Sequence, residues 1–183
     1  MAYPMGGIEG VRTRTGATNT GAEDAFGAAM ADQGFRLARL AFFLCGDRTR
    51  AEDLVAEAFA GAWPKWSAGR VDNLGAYLRR SVVNLAAKDR RHRLVVSRHD
   101  ARATTTRLVT PGADEGLGTR IDLAQILCTL PPAQRVVVVL RYLEDMSEAE
   151  IAALLGVPPG TVKSRLSRAL DGLRSQLEGA DHA

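Results

Sequence analysis

The stretch Ser147–Leu173, SEAEIAALLGVPPGTVKSRLSRALDGL, reads as a helix, a tight turn and a second helix. Ser147 and Glu150 stand at the S-x-x-E spacing of a capping box, which satisfies two of the first helix's free N–H groups and lets it start cleanly. Ile151, Leu154 and Leu155 then share one apolar face. Gly156 ends the helix because glycine enters the left-handed conformation without a Cβ clash. Val157 can plug the turn, while Pro158 and Pro159 suit a helix entry, where a missing N–H is harmless. A second helix is predicted from Gly160, with Val162, Leu166, Ala169, Leu170, Leu173 and Leu177 inward at helical spacing. Thr161, Ser164, Arg165 and Arg168 fall on the opposite stripe, with Lys163 and Ser167 beside them. Side chains of this chemistry meet base edges and phosphates, so the pattern is that of a DNA-reading helix-turn-helix. From this stretch alone, a helix pair with a solvated basic face reads the same way.

The rest of the chain narrows the choice. It has 183 residues, with 24 Lys and Arg against 21 Asp and Glu, and its net charge of +3 permits an anionic partner without requiring one. No apolar run approaches the roughly 18 residues of a membrane span, and the N-terminus lacks the charged start and apolar core of a secretory signal. A cytoplasmic protein is expected. Cys45 and Cys128 are isolated within apolar helical patterns, which predicts buried free thiols. Only 5% of residues are aromatic, and alternating β-branched runs are missing. The predicted fold is therefore all-α: two small helical domains joined by a flexible linker, the C-terminal one a helix-turn-helix.

Residues 1–21, rich in Gly and Thr, read as a disordered extension. A first domain is expected over 22–93. In it Phe35, Leu37, Leu40, Ala41 and Leu44 mark one helix face, broken at Gly46 and Asp47. Thr49 and Glu52 have capping-box spacing at the start of a second helix, whose buried stripe is Val55, Phe59, Ala62 and Trp66. Pro64 should kink it or end it early. Ser67–Asn73 reads as a loop, followed by a third helix from Leu74 to about Arg93 with Leu78, Val82 and Leu85 inward. Residues 94–119 lose periodicity and gather Ser, Thr, Gly and Pro, which marks a linker too long for a connection inside a compact domain. Helical patterning resumes over 120–178, interrupted before Pro131 and Pro132, and 179–183 is a tail.

A second basic surface lies on the third helix. Arg80, Asn84 and Arg91 share a face, with Arg79, Lys88, Arg90 and Arg93 nearby; such groups neutralise phosphates and release counterions, and Asn84 can pair with a base. A solvated basic helix is the alternative. Asp53 and Glu57 stand one turn apart on the second helix, without the His, Ser or Lys companions of acid–base chemistry or a Gly-rich phosphate loop, so an enzyme is not expected. Their spacing fits a solvated acidic face and a protein-binding face equally well. Trp63 and Trp66 favour core packing over base stacking. His92, His99 and His182 lie in basic, linker or tail segments, and neither a metal nor another cofactor is assigned.

Three segments, AEDLVAEAFAGAW (51–63), YLRRSVVNLAAKDRRHR (77–93) and LPPAQRVVVVLRYLEDMSEAEIAALLGVPPGTVKSRLSRAL (130–170), together resemble the extracytoplasmic-function, or group 4, sigma factors of the bacterial sigma-70 family. The resemblance runs from about Phe35 to Leu177. It implies a non-enzymatic subunit that binds the RNA polymerase core at the β′ clamp helices and β flap, directs it to promoters and assists melting. It implies core-binding roles for Asp53, Leu54 and Glu57, and minus-ten contacts for Arg70, Asn73, Arg79, Arg80, Asn84, Lys88 and Arg91. Thr161, Lys163, Ser164, Arg165, Ser167 and Arg168 would meet the minus-thirty-five element. An anti-sigma factor is a further implied partner. Ala56 stands where the family often has Gln, and Pro64 sits in a helix end usually free of proline. A free-standing helix-turn-helix regulator, which would need no acidic docking face, is the competing reading.

Overall fold

The computed structural model describes residues 19–99 and 123–180, with side chains over 21–94 and 123–176. Among the described residues seven helices form and no strand occurs: α1 (Asn19–Cys45), α2 (Arg48–Ser67), α3 (Leu74–His99), α4 (123–129), α5 (Pro132–Tyr142), α6 (Glu148–Leu155) and α7 (Pro159–Ala180). The all-α expectation holds. Two helical units result, α1–α3 and α4–α7.

In the first unit Leu37, Leu40, Ala41, Leu54, Val55, Phe59, Leu78 and Val82 are buried together. Phe26 extends this core toward the N-terminal half of α1, meeting Phe59 and Trp63 edge-on at centroid distances of 5.8 and 5.1 Å, an arrangement that adds quadrupole attraction to apolar burial. Trp66 Nε1 donates to Ala22 O at 3.4 Å. Both tryptophans thus serve packing. Helix α1 begins at Asn19, inside the segment expected to be a disordered extension, because Phe26 and this tryptophan contact give its first turns something to pack against. Phe35 departs from the predicted face and is 71% exposed.

Helix starts show which local signals win. Gly46, at φ 77°, turns the chain out of α1, and Asp47 then takes the extended N-cap geometry of α2, its carboxylate accepting from Arg50 N at 2.9 Å. The cap therefore falls two residues before the Thr49–Glu52 box, and Glu52 pairs instead with Arg48. Pro64 does not end α2, which runs on to Ser67. The helix closes when Gly69, at φ 65°, allows Gly69 N to donate to Trp66 O and Arg70 N to Lys65 O, the paired bonds of a Schellman stop. Helix α3 continues past Arg93 to His99, into the expected linker. The rest of that linker, 100–119, lies outside the described residues, as do 1–18 and 181–183.

The second unit follows its sequence closely. Ser147 and Glu150 form the full capping box, and Gly156 closes α6 at φ 65°. Val162 and Ala169 of α7 are buried against Leu127, Val137, Val139, Leu140 and Ile151. Leu166 and Leu173 pack around them half-buried, while the side chain of Leu177 is outside the described residues. The units do not stand apart. The last turns of α1 run antiparallel to α5: Arg39 Nη2 donates to Leu143 O at 3.1 Å and Arg135 Nη1 to Leu44 O at 2.9 Å.

Candidate nucleic-acid interface

Helix α3 carries the clearest basic face. Arg80, Asn84, Lys88 and Arg91 are all exposed, and their spacing of about one turn aligns them along one side. None of these cations has an ion-pair partner among the described residues. Arg79, from the same predicted set, points elsewhere: its side chain is 24% exposed and its Nε donates to Glu144 Oε2 of the other unit at 3.0 Å. Arg90 and Arg93 are half-buried, and Arg93 pairs with Asp89.

The loop preceding α3 presents Arg70 and Asn73, both exposed. Asn73 Oδ1 already accepts from Ala76 N at 2.9 Å, so its carbonyl caps α3 while its amide is left to donate outward. The loop is pinned at its base by Lys65, whose Nζ donates to Tyr77 OH at 2.6 Å and sits 5.0 Å from the ring centroid. This pin joins the end of α2 to the start of α3. It was missed in the sequence because the two residues lie on different helices and neither belongs to a periodic motif.

Asp53 and Glu57 are exposed on α2, whereas Leu54, grouped with them as a contact residue, is buried in the core at 6% exposure. Only the edge of its side chain reaches an open groove of about 520 Å³ between α2 and α3. Asp53 and Glu57 form one lip of this groove, and Lys88 and Arg91 the other. The acidic and basic surfaces, separate in the sequence, are therefore two sides of one feature.

On α7, Lys163, Ser167 and Arg168 are exposed, and Thr161, Ser164 and Arg165 are half-buried. Ser164 Oγ donates to Thr161 O at 3.1 Å, leaving its oxygen free to accept. Pro159 supplies the first turn of this helix, where its missing N–H leaves no donor unsatisfied, and Thr161 N donates to Pro158 O at 2.9 Å. The box that fixes α6 beneath it also holds the exposed Glu150 carboxyl below its ordinary value, through hydrogen bonds from the Ser147 hydroxyl and backbone.

Comparison with known proteins fits this two-part arrangement. Residues 34–94 match the family Sigma-70 region 2, and residues 120–171 match Sigma-70, region 4. The RNA polymerase sigma-E factor of Streptomyces avermitilis is 38% identical over 149 residues, covering 79% of this chain and 80% of that protein. The ECF RNA polymerase sigma factor SigW of Bacillus subtilis is 27% identical over 180 residues, covering 91% and 96%. Among solved structures, the sigma factor RpoE of Bartonella quintana, in complex with the anti-sigma factor NepR, aligns with a TM-score of 0.72 at 26% identity, covering 85% of this chain and 98% of that one. CnrH, in complex with the cytosolic domain of CnrY, aligns at 0.66 and 25%, covering 88% and 92%. The chain belongs to the sigma-70 family. Within it, this is an extracytoplasmic-function RNA polymerase sigma factor, and the match across both units does not favour a free-standing helix-turn-helix regulator. Among the described residues, no helix is long and apolar enough to cross a membrane.

Proposed function

We propose that this sigma factor reads promoters at two points, with 22–93 acting on the minus-ten element and 120–178 on the minus-thirty-five element, and that it carries out no chemistry of its own. The observation that carries the reading is the unpaired ladder of Arg80, Asn84, Lys88 and Arg91 on α3, beside a loop that presents Arg70 and Asn73. Cations so spaced track a phosphate backbone. The loop, bridged at its base by the Lys65–Tyr77 bond, offers a rim against which a flipped base can be held, and extrusion costing a few kcal/mol is offset by pocket contacts and phosphate neutralisation. Melting then follows from binding energy. Arg79 joins this surface once it is released from Glu144.

Lys163, Ser167 and Arg168 of α7 are assigned to phosphates and outer base edges, and Thr161, Ser164 and Arg165 to closer contacts in the major groove. Asp53 and Glu57 are assigned to the β′ clamp helices, with Leu54 supporting their helix from below; α4–α7 is assigned to the β flap. The protein works in the cytoplasm, where the polymerase is. Because RpoE was solved with the anti-sigma factor NepR, an anti-sigma factor is the proposed inhibitory partner here too. Run-off transcription with purified core polymerase on a promoter library tests the whole assignment. Promoter-dependent initiation and a stable core complex are expected, and loss of both would refute it.

A further inference from the structure

The loop that carries Arg70 and Asn73 hangs from two residues outside the basic ladder. Lys65, in the last turn of α2, offers its carbonyl oxygen to Arg70 N, which donates at 2.9 Å. Tyr77, in the first turn of α3, donates its own amide to Asn73 O at 3.0 Å. The same two residues meet through their side chains, Lys65 Nζ donating to Tyr77 OH at 2.6 Å while the ammonium stands 5.0 Å from the ring centroid. Each residue that the loop presents is therefore one backbone hydrogen bond away from one member of a bonded pair.

The feet of the loop are set on α1. On the α2 side Trp66 Nε1 donates to Ala22 O at 3.4 Å. On the α3 side Gly75 lies so close to Gln33 that an added Cβ would be 2.9 Å from its Oε1. Gly69, at φ 65°, fixes where the chain leaves α2, and the Asn73 side-chain oxygen, accepting from Ala76 N, fixes where it enters α3. The direction of the chain is thus set at both ends. The distance between Arg70 and Asn73 depends on how those ends are tied to each other, and the Lys65–Tyr77 bond ties them.

We propose that Lys65 and Tyr77 form a crossbar that sets the spacing of Arg70 and Asn73, which makes them positioning residues for base preference at the minus-ten element. The proposal rests on the assignment of Arg70 and Asn73 to that element. Hydrogen-bond donors discriminate between bases only when held to within about 0.5 Å, because a misplaced donor leaves the right and the wrong base equally unsatisfied. Contacts to phosphate tolerate more play, since Coulomb attraction has no sharp angular preference. Loss of the crossbar therefore removes base discrimination and leaves phosphate-driven affinity in place. Lys65 is exposed and Tyr77 half-buried, so breaking their bond changes global stability little.

Tyr77→Phe removes the acceptor and keeps the ring, and Lys65→Met removes the donor and keeps the length of the side chain. Holoenzyme assembled from core polymerase and each full chain is titrated with fluorescein-labelled single-stranded minus-ten oligonucleotides, taken from the strongest promoter of the library and varied to all four bases at each position in turn. The parent should prefer one base at the position the loop holds. Each single variant should reduce that preference about fivefold, and the double variant no further, with the salt slope unchanged. Full preference in either single variant, or additive losses in the double, would overturn the crossbar. So would a loss with Lys65→Met that is uniform over all sequences, lowers the salt slope and is not shared by Tyr77→Phe, which would make Lys65 a phosphate contact instead.

Hydrogen exchange in the free chain separates the crossbar from the promoter reading. The Arg70 and Tyr77 amides, bonded to Lys65 O and Asn73 O, should each exchange about fivefold faster in Tyr77→Phe. Unchanged exchange at both would overturn the crossbar whatever the oligonucleotides show. Faster exchange in the variant, together with a parent holoenzyme that prefers no base at any position, would instead refute the assignment of the loop to the minus-ten element.

Discussion

The basic ladder of α3 and the arginines of the seam between the two units have the same composition and opposite uses. Arg80 and Arg91 project into solvent without a partner among the described residues, while Arg135, at 8% exposure, spends its donors on the carbonyls of two helix ends. The difference lies in what each guanidinium faces. A cation over open solvent remains available to phosphate, whereas one whose Nη atoms donate to helix C-termini is already engaged, and burial lowers its pKa because removal from water disfavours the charged form. Residue type therefore marks a candidate nucleic-acid contact, and the neighbour across space decides whether it is one.

Breaking the committed side of this contrast should give the largest effect. Arg135→Ala orphans carbonyls of Leu44, Cys128 and Leu130 together, and is expected to lower stability by about 3 kcal/mol in urea denaturation. A change below about 1 kcal/mol would mean that water replaces the guanidinium easily. On the free side, Arg80→Ala should leave urea stability within about 0.5 kcal/mol of the parent. In holoenzyme it should nevertheless weaken single-stranded minus-ten binding severalfold and reduce the salt slope by about 0.7. An unchanged slope in fluorescence anisotropy would take Arg80 off the phosphate path.

The acidic lip of the groove sharpens the same contrast with the charge reversed. Asp53→Lys should reduce association with core polymerase severalfold in surface plasmon resonance, mostly through a slower on-rate that salt partly masks, because a like charge then faces a basic partner surface. Unchanged on-rate and affinity would leave Asp53 a solvated carboxylate. The smallest effect belongs to Glu150. Its folded pKa is depressed, so the capping box contributes stability above the ordinary carboxylate range and loses it as pH falls through that lowered value. Glu150→Gln should therefore flatten the acid limb of the thermal-stability profile slightly, as seen by circular dichroism at 222 nm.

The legible parts of the sequence were those whose partners lie within a few residues. The Ser147–Glu150 box, the Gly156 stop and the buried pair Val162 and Ala169 all follow from spacings of three to seven, and the structure has each of them. By the same local spacing Thr49 would cap α2, yet Asp47 does so, because the left-handed Gly46 presents Asp47 in extended geometry first. Phe35 satisfied the apolar period of α1 yet faces solvent. Nothing within α1 distinguishes it from Leu37; only the placement of α2, α3 and α5 does. The pairing of Glu144 with Arg36 and Arg79 spans 108 and 65 residues, and no local pattern carries that information. For the site, residue types and faces on α3 and α7 were legible, whereas the burial of Leu54 and the capture of Arg79 depended on tertiary packing.

Cys45, at the end of α1, offers a quiet readout of that packing. Burial raises its thiol to about 11, so alkylation near neutral pH should be slow until the helix end loosens. The doubly capping position of Arg135 reaches further. Because one guanidinium terminates helices in both units, neither α1 nor α4 can fray without disturbing the other. While the seam is closed, the two halves should melt as a single cooperative block, with backbone amides near Leu44 and Leu130 exchanging hydrogen through the same opening event. Once it is open they become separate melting units. The number of transitions in a calorimetric scan would then count the conformations of the chain.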